Sequence, residues 1–323
     1  MSKSFKYFLF ALILSFPFWT GVNILEKKLT DFFYWQELAK TPEIFYAQIT
    51  PNSLENIKIS RNEGAGDLNL QTKSAISVLI DKKGREKVLF EKDGNLQLPI
   101  ASLTKLMTAL VVLESYDLAQ EIKVSQEAVN QPEEFGKLKA GEVLTAEYLL
   151  YPLLMESSND AAFSLANDYP AMSERRFVGL MNEEVKKMGL QNTVFFNSAG
   201  LDPDQSNTEM NFSTAYDLAL LTKKALDKPL IWKILSTPMY QVYGPELINT
   251  NELLEDSISW HNEIIGGKTG YTDMAGGCMI LVLKAPQRPN DLLINVILGA
   301  DSADSRFEQM KSLVNWLDIA YIW

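Results

Sequence analysis

The sequence predicts an α+β layer fold, with one sheet assembled from the two ends of a domain and helices between and over it. Three observations predict it. Short apolar runs at 75–80 and 87–90 bracket Asp81-Lys82-Lys83-Gly84, which is the pattern of a β-hairpin. Two longer apolar runs, 278–283 and 292–298, flank a turn at 286–289 that carries Pro286 and Pro289. Between these ends the apolar residues recur at helical spacing, and the last segment, 304–320, does the same with Phe307, Met310, Leu313, Val314 and Leu317 on one face.

The elements follow in order. Pro99 suits an extended lead-in, and the run through Leu110, Val111, Val112 and Leu113 suits a buried helix that starts at Ser102. Residues 124–141 are mixed and polar. Thr145 then opens a helix through Tyr148, Leu149, Leu150 and Leu153, with Glu147 in its first turn, ending near Met155. A polar break at 156–162 follows. Ser173 is placed to cap a helix that stops at Gly189, 194–196 reads as a short strand, and 197–211 as a long polar loop. Ser213 is expected to cap the next helix, to about Leu226.

Composition bounds the function. The 323 residues are 46% hydrophobic, enough for one large domain or two ordinary ones. With 41 acidic and 30 basic residues the formal net charge is −11, which argues against nucleic acid as a partner, since no phosphate-neutralising surplus exists. A single cysteine, Cys278, excludes an internal disulfide but leaves the compartment open. A single histidine, His261, leaves no His/Cys cluster, so neither a zinc site nor another metal is expected. Nothing around His261 supports a Ser-His-Asp triad. His261 and Cys278 read as structural, a loop imidazole and a strand-core thiol.

Lys3 and Lys6 precede an apolar run at 7–25 interrupted by Pro17. Residues 1–28 are therefore expected to form a signal anchor or signal peptide, the anchor being preferred because no small-residue cleavage site follows. Phe32, Phe33, Tyr34 and Trp35 suit either a membrane interface or packing on the domain. Residues 29–72 read as a membrane-proximal arm or linker, and 73–323 as the main domain.

Ser102 and Lys105 stand three residues apart, so on a helix they share a face, a hydroxyl beside an amine. Taken alone, the pair reads rather as a capping serine and a lysine lying along apolar surface. Two further motifs follow in order, Ser157-Ser158-Asn159 and Lys268-Thr269-Gly270. Each alone fits a helix break or a strand edge. The ordered triple is the known signature of class A β-lactamases and penicillin-binding proteins.

The local wording goes further. Residues 100–109, 157–162, 189–193, 197–201, 213–218 and 267–272 resemble the low-molecular-mass D-alanyl-D-alanine carboxypeptidases, peptidase family S11, over about 73–316. The resemblance implies a DD-peptidase/β-lactamase-like fold, an antiparallel sheet from both chain ends with helices on both faces. It makes 73–323 a serine DD-peptidase catalytic domain, here expected without the all-β second domain that many members carry. It implies removal of the terminal D-Ala from peptidoglycan stem pentapeptides through an acyl-enzyme on Ser102, with β-lactam antibiotics as covalent inhibitors and no cofactor. Lys105 would be the base. A lysine serves as one only as the neutral amine, a form favoured by burial and a nearby cation, here Lys268. By the same resemblance Ser157 would relay a proton to the leaving amine and Asn159 would hold the substrate backbone. The backbone N–H groups of Ser102 and Tyr271 would form the oxyanion hole. Lys268, Thr269 and Gly270 would line the place of the substrate's charged end. Arg306 matches a family arginine that grips the terminal carboxylate, the alternative being an exposed arginine at a helix start.

Three other readings compete. A class A β-lactamase needs a deacylating glutamate, usually in a Glu-x-x-x-Asn loop, and no such spacing occurs between Ser158 and Lys268. A D,D-endopeptidase uses the same site on peptidoglycan cross-links. A membrane-tethered peptidoglycan-binding scaffold would not need every catalytic position filled. Ser158 stands where the family more often has Gly, which is expected to stiffen or narrow that loop, and 124–141 is expected to reshape the cleft rim.

Overall fold

The hairpin at Asp81–Gly84 closes as its composition demands. Asp81 Oδ1 accepts from the backbone N–H groups of Lys83 and Arg85, and Gly84 takes the positive φ, +74°, that a tight turn needs. In the computed structural model, which describes residues 59–132, 138–203, 209–241, 245–255 and 263–323, this hairpin is one edge of a five-stranded sheet. Its strands are β1 (Ser74–Ile80), β2 (Glu86–Lys92), β3 (Ile264–Thr272), β4 (Gly276–Ala285) and β5 (Arg288–Ala300). They lie in the order β3-β4-β5-β1-β2, antiparallel throughout. The described residues all fall in the unit Ile57–Trp323. The expected anchor at 1–28, the first part of the arm and His261 lie outside them.

Side-chain alternation along the strands builds two cores, one on each face. Ile76, Val78, Cys278, Ile280, Val282, Ile294, Val296 and Leu298 point to one side. Ala75, Leu79, Met279, Leu281, Leu283, Leu293 and Ile297 point to the other. Because both faces are covered, these strands read in sequence as continuous apolar runs. The second core is closed by the C-terminal helix Ser305–Ala320, which buries the five apolar residues picked out by their spacing. The first carries the helical layer: α1 (Thr104–Ser115), α2 (Ala146–Met155), α3 (Asn159–Phe163), α4 (Glu174–Met188), α5 (Ala215–Ala225) and α6 (Pro229–Leu235).

α1 is the centre of that layer. Every residue from Thr104 to Val112 is buried, so the helix is enclosed on all sides. The expected caps at Thr145 and Ser173 hold: Thr145 accepts from the Tyr148 N–H, Ser173 from that of Arg176, and Gly189 ends α4 in the left-handed conformation. Three local expectations need correction. Ser102 does not open the α-helix; it sits in a single 3-10 turn, Ala101–Leu103, and α1 begins at Thr104. Ser213 does not cap α5. Thr214 does, accepting from the Asp217 N–H at 3.0 Å, while Ser213 is held in a two-residue strand against Leu98–Pro99 and hydrogen-bonds Thr193. The strand at 194–196 reduces to one bridge, Val194 to Phe212.

The end of the expected arm is fastened to the domain. Ser60–Arg61 pairs with Tyr321–Ile322, the Arg61 guanidinium lies 4.5 Å over the Trp316 ring, and Trp316 Nε1 donates to the Gly66 carbonyl at 2.8 Å.

Within the polar loop, Asn197 Oδ1 accepts from the N–H groups of Ala199 and Gly200, and Asn211 Nδ2 donates to Thr104 Oγ1 and the Asn197 carbonyl. Gly200 has φ +84°, and a Cβ there would lie 1.9 Å from the Ala101 carbonyl oxygen. Gly200→Ala therefore combines an unfavourable backbone conformation with a direct clash. It is expected to cost more than about 2 kcal/mol in stability, read as a lowered urea midpoint at unchanged m-value.

Candidate active site

The 3-10 turn sets Ser102 against the first turn of α1, and Lys105 rises on the same face. Lys105 Nζ lies 2.9 Å from Ser102 Oγ, 2.7 Å from Asn159 Oδ1 and 2.8 Å from the Ala199 carbonyl oxygen. The whole side chain is buried because α1 is the central helix. Of these partners the Asn159 and Ala199 oxygens only accept, so each takes an N–H from lysine. The third, a hydroxyl, can accept from an ammonium or donate to a neutral amine. The site therefore satisfies lysine in either protonation state without rearrangement.

Asn159 is the first residue of α3, directly after the break that follows α2. Ser157 holds that break at φ +64°, in the left-handed region, and its Oγ is buried with no hydrogen-bond partner among the described residues. Ser158 Oγ caps α3 by accepting from the Ala161 N–H at 3.1 Å, and its own N–H donates to the Pro152 carbonyl, next to a helix position whose nitrogen carries no hydrogen. The side chain expected to narrow the cleft is thus turned into the first turn of α3. Asn159 Nδ2 donates to the Pro132 carbonyl, tying the 124–132 rim to the lysine through one amide.

β3 brings the third motif. Gly270 faces the Ser102 turn so closely that a Cβ there would sit 3.1 Å from the Ser102 nitrogen and 3.3 Å from Ala101 Cβ. Lys268 is buried and donates to the Thr269 carbonyl at 2.9 Å. Burial first, then the charges of Lys105 and Arg306, hold its ammonium well below the ordinary lysine range. Thr269 Oγ1 lies 2.6 Å from Thr250 Oγ1, and Tyr271 is 43% exposed. Arg306 donates from Nη1 to the Gly270 carbonyl at 3.2 Å and lies over the Phe307 ring.

Hydrogen bonds unite Ser102, Lys105 and Asn159, the Lys268 charge acts on the same point, and Thr269, Gly270 and Arg306 adjoin it. Two contributors escaped the sequence reading. One is the Ala199 carbonyl, a main-chain atom that no side-chain pattern could flag. The other is Thr250, between the buried Asn249 and Asn251; two asparagines flanking a hydroxyl were the available signal. Cys278 lies on β4 opposite Gly270, and burial pushes its thiol up to about 11, which suits a structural role. Among the described residues no group of His, Cys, Asp or Glu could hold a metal ion.

Solved structures share this architecture. Penicillin-binding protein D2 from Listeria monocytogenes, in its cefotaxime-bound form, superposes with a TM-score of 0.64 at 29% identity, covering 78% of this chain and 99% of the other. A Streptomyces K15 DD-transpeptidase mutant gives 0.67 at 24%, covering 78% and 99%, a likeness of fold. The fold and the ordered motifs thus define a penicillin-binding-protein type of domain. The D-alanyl-D-alanine carboxypeptidase family model, peptidase S11, matches residues 62–302, and the chain belongs to that serine peptidase family. D-alanyl-D-alanine carboxypeptidase DacF of Bacillus subtilis is 31% identical over 269 residues, 80% of this chain and 65% of the relative's length. D-alanyl-D-alanine endopeptidase of Pseudomonas aeruginosa is 32% identical over 255 residues, 76% and 78%.

Two outcomes test the geometry. Below the folded-state pKa of Lys268 the native state carries a buried charge that the unfolded chain solvates, and this cost fades as pH rises towards the ordinary value of 10.5. Lys268→Met is therefore expected to be more stable than the wild type at neutral pH, with the gap closing towards pH 10.5 in urea melts. Ser158→Ala is expected to lose about 1 kcal/mol with its cap, and Ser158→Gly only a few tenths.

Proposed function

We propose that this protein is a serine-type D-Ala-D-Ala carboxypeptidase that trims peptidoglycan stem pentapeptides. The observation that carries the reading is the buried Lys105 amine set 2.9 Å from Ser102 Oγ. Lys105 takes the hydroxyl proton as Ser102 Oγ attacks the carbonyl of the penultimate D-Ala. The oxyanion that forms lies against the backbone N–H groups of Ser102 and Tyr271, next to the tight approach at Gly270. Collapse of this intermediate breaks the C–N bond. The proton passes through Ser157, whose buried Oγ has no hydrogen-bond partner among the described residues, to the leaving D-Ala amine. An ester on Ser102 remains. Water attacks it, gives its proton to Lys105, and Ser102 recovers its hydrogen.

Asn159 orients both the lysine and the substrate backbone. Lys268 and Thr269 receive the terminal carboxylate, whose negative charge favours the ammonium that burial disfavours. Arg306 adds to that positive field and fixes the strand through the Gly270 carbonyl. β-Lactams acylate the same serine. The enzyme works outside the cytoplasm, at the cell wall, held to the membrane by residues 1–28. Likeness to an endopeptidase from Pseudomonas aeruginosa supports a second reading, cleavage of cross-links by the same residues.

Incubation of the purified full-length chain with labelled penicillin is expected to place one covalent adduct on Ser102. The adduct should be absent in Ser102→Ala and formed about 10²- to 10⁴-fold more slowly in Lys105→Ala. D-Ala release from a diacyl-D-Ala-D-Ala peptide separates an enzyme from an inert binder, and a cross-linked dimeric stem separates the two cleavage activities. A chain that takes no label overturns the reading.

A further inference from the structure

The loop whose Ala199 carbonyl holds Lys105 is fastened, at its far end, to a different part of the site. Asp202 makes that attachment. Its Oδ1 accepts from the Thr272 hydroxyl at 2.7 Å and its Oδ2 from the Met274 N–H at 3.2 Å, contacts that cross 70 and 72 residues of sequence. Thr272 is the last residue of β3 and directly follows Tyr271. The turn from β3 into β4 sends two of its backbone N–H groups to side chains. That of Met274 goes to Asp202, and that of Ala275 goes to Thr272 Oγ1 at 3.1 Å. One carboxylate therefore braces this turn from outside and fixes the hydroxyl that braces it from within.

Hydrogen bonds to an ionised carboxylate are the stronger kind, and two of them on one side chain fix its direction. We infer that Asp202 is a positioning residue, which locks the loop behind the Lys105 amine to the strand end that carries the Tyr271 N–H. The inference rests on the peptidase reading above and adds a residue that sets the spacing between the base and the oxyanion donor. Asn197 shapes the same loop from its other end: its Oδ1 accepts from the Ala199 and Gly200 N–H groups, and its Nδ2 donates to the Leu201 carbonyl at 3.2 Å. Asn197 thus gives the loop its form, and Asp202 decides where that form stands against β3. The Ser102 turn lies between the two tied parts, with Gly200 close against the Ala101 carbonyl and Gly270 close against the Ser102 nitrogen. Lys268 and Thr269 lie further back on β3, inside the sheet pairing. Loss of the attachment therefore moves the oxyanion donor more than it moves the place of the carboxylate.

The test follows labelling of the full-length chain over a range of penicillin concentrations, which separates initial affinity from the rate of acylation. Asp202→Ala and Thr272→Val each break the attachment. Each is expected to slow acylation about 10- to 10²-fold while initial affinity changes less than about twofold. The double variant is expected to be no slower than the slower single, because both substitutions remove one interaction. Thr272→Ser keeps the hydroxyl and is expected to acylate at close to the wild-type rate. If urea melts show that Asp202→Ala does not fold, the two Thr272 variants carry the same comparison. Three results overturn the positioning role and leave the peptidase reading intact: single variants within about twofold of the wild-type rate, losses that multiply in the double variant, or Thr272→Ser as slow as Thr272→Val. A loss confined to affinity does the same. A wild type that takes no label strikes the underlying reading instead.

Discussion

A lysine wholly inside a protein must spend every hydrogen on a partner, and the described fold is arranged to provide them. Asn159 and the Ala199 carbonyl take two N–H groups, and Ser102 completes the set with a hydroxyl that exchanges donor and acceptor roles. The requirement reaches outward. Asn159 is held by the Ser158 cap and the Pro132 carbonyl, and Ala199 by the Asn197 turn and the Ser198–Glu174 contact. Thr108, one turn along α1 from the lysine, donates to the Ser198 carbonyl and pins the same loop from beneath. Burial of an amine is costly without such satisfaction, which explains why so much polar structure lies within an otherwise apolar layer.

The second cation makes the arrangement asymmetric. Lys268 is as enclosed as Lys105, but its given partner is the carbonyl of its own neighbour, Thr269, and its charge is opposed by Lys105 and Arg306. In the proposed function a substrate carboxylate would offset that repulsion. This grouping is set by the strand register that places Lys268 opposite Ile280 and Gly270 opposite Cys278.

Much of this was legible in the sequence where local chemistry decides the outcome. The hairpin at Asp81–Gly84, the caps at Thr145 and Ser173 with the stop at Gly189, and the five apolar residues of the last helix follow from rules that act within a turn or two. The Ser102–Lys105 pair was legible for the same reason, since a spacing of three keeps its meaning in both a 3-10 turn and an α-helix. Tertiary partners decided the rest. Ser213 lost its capping role because strand pairing with Leu98 and a bond to Thr193 claimed it, leaving Thr214 next in line. The Ala199 carbonyl and the Thr250 hydroxyl enter the site from far along the chain, and Ala199 does so through an atom every residue has.

The three contacts of Lys105 span 3, 54 and 94 residues of sequence. Closing loops of such different lengths requires almost the entire helical layer, because each long loop must be shut before its contact forms. A nascent or partly folded chain can bring Ser102 and Lys105 together but lacks the two acceptors that draw the amine into place. On the proposed mechanism, nucleophilic power is thus a property of the finished tertiary structure, and unfinished copies of the protein would be chemically silent towards acyl donors.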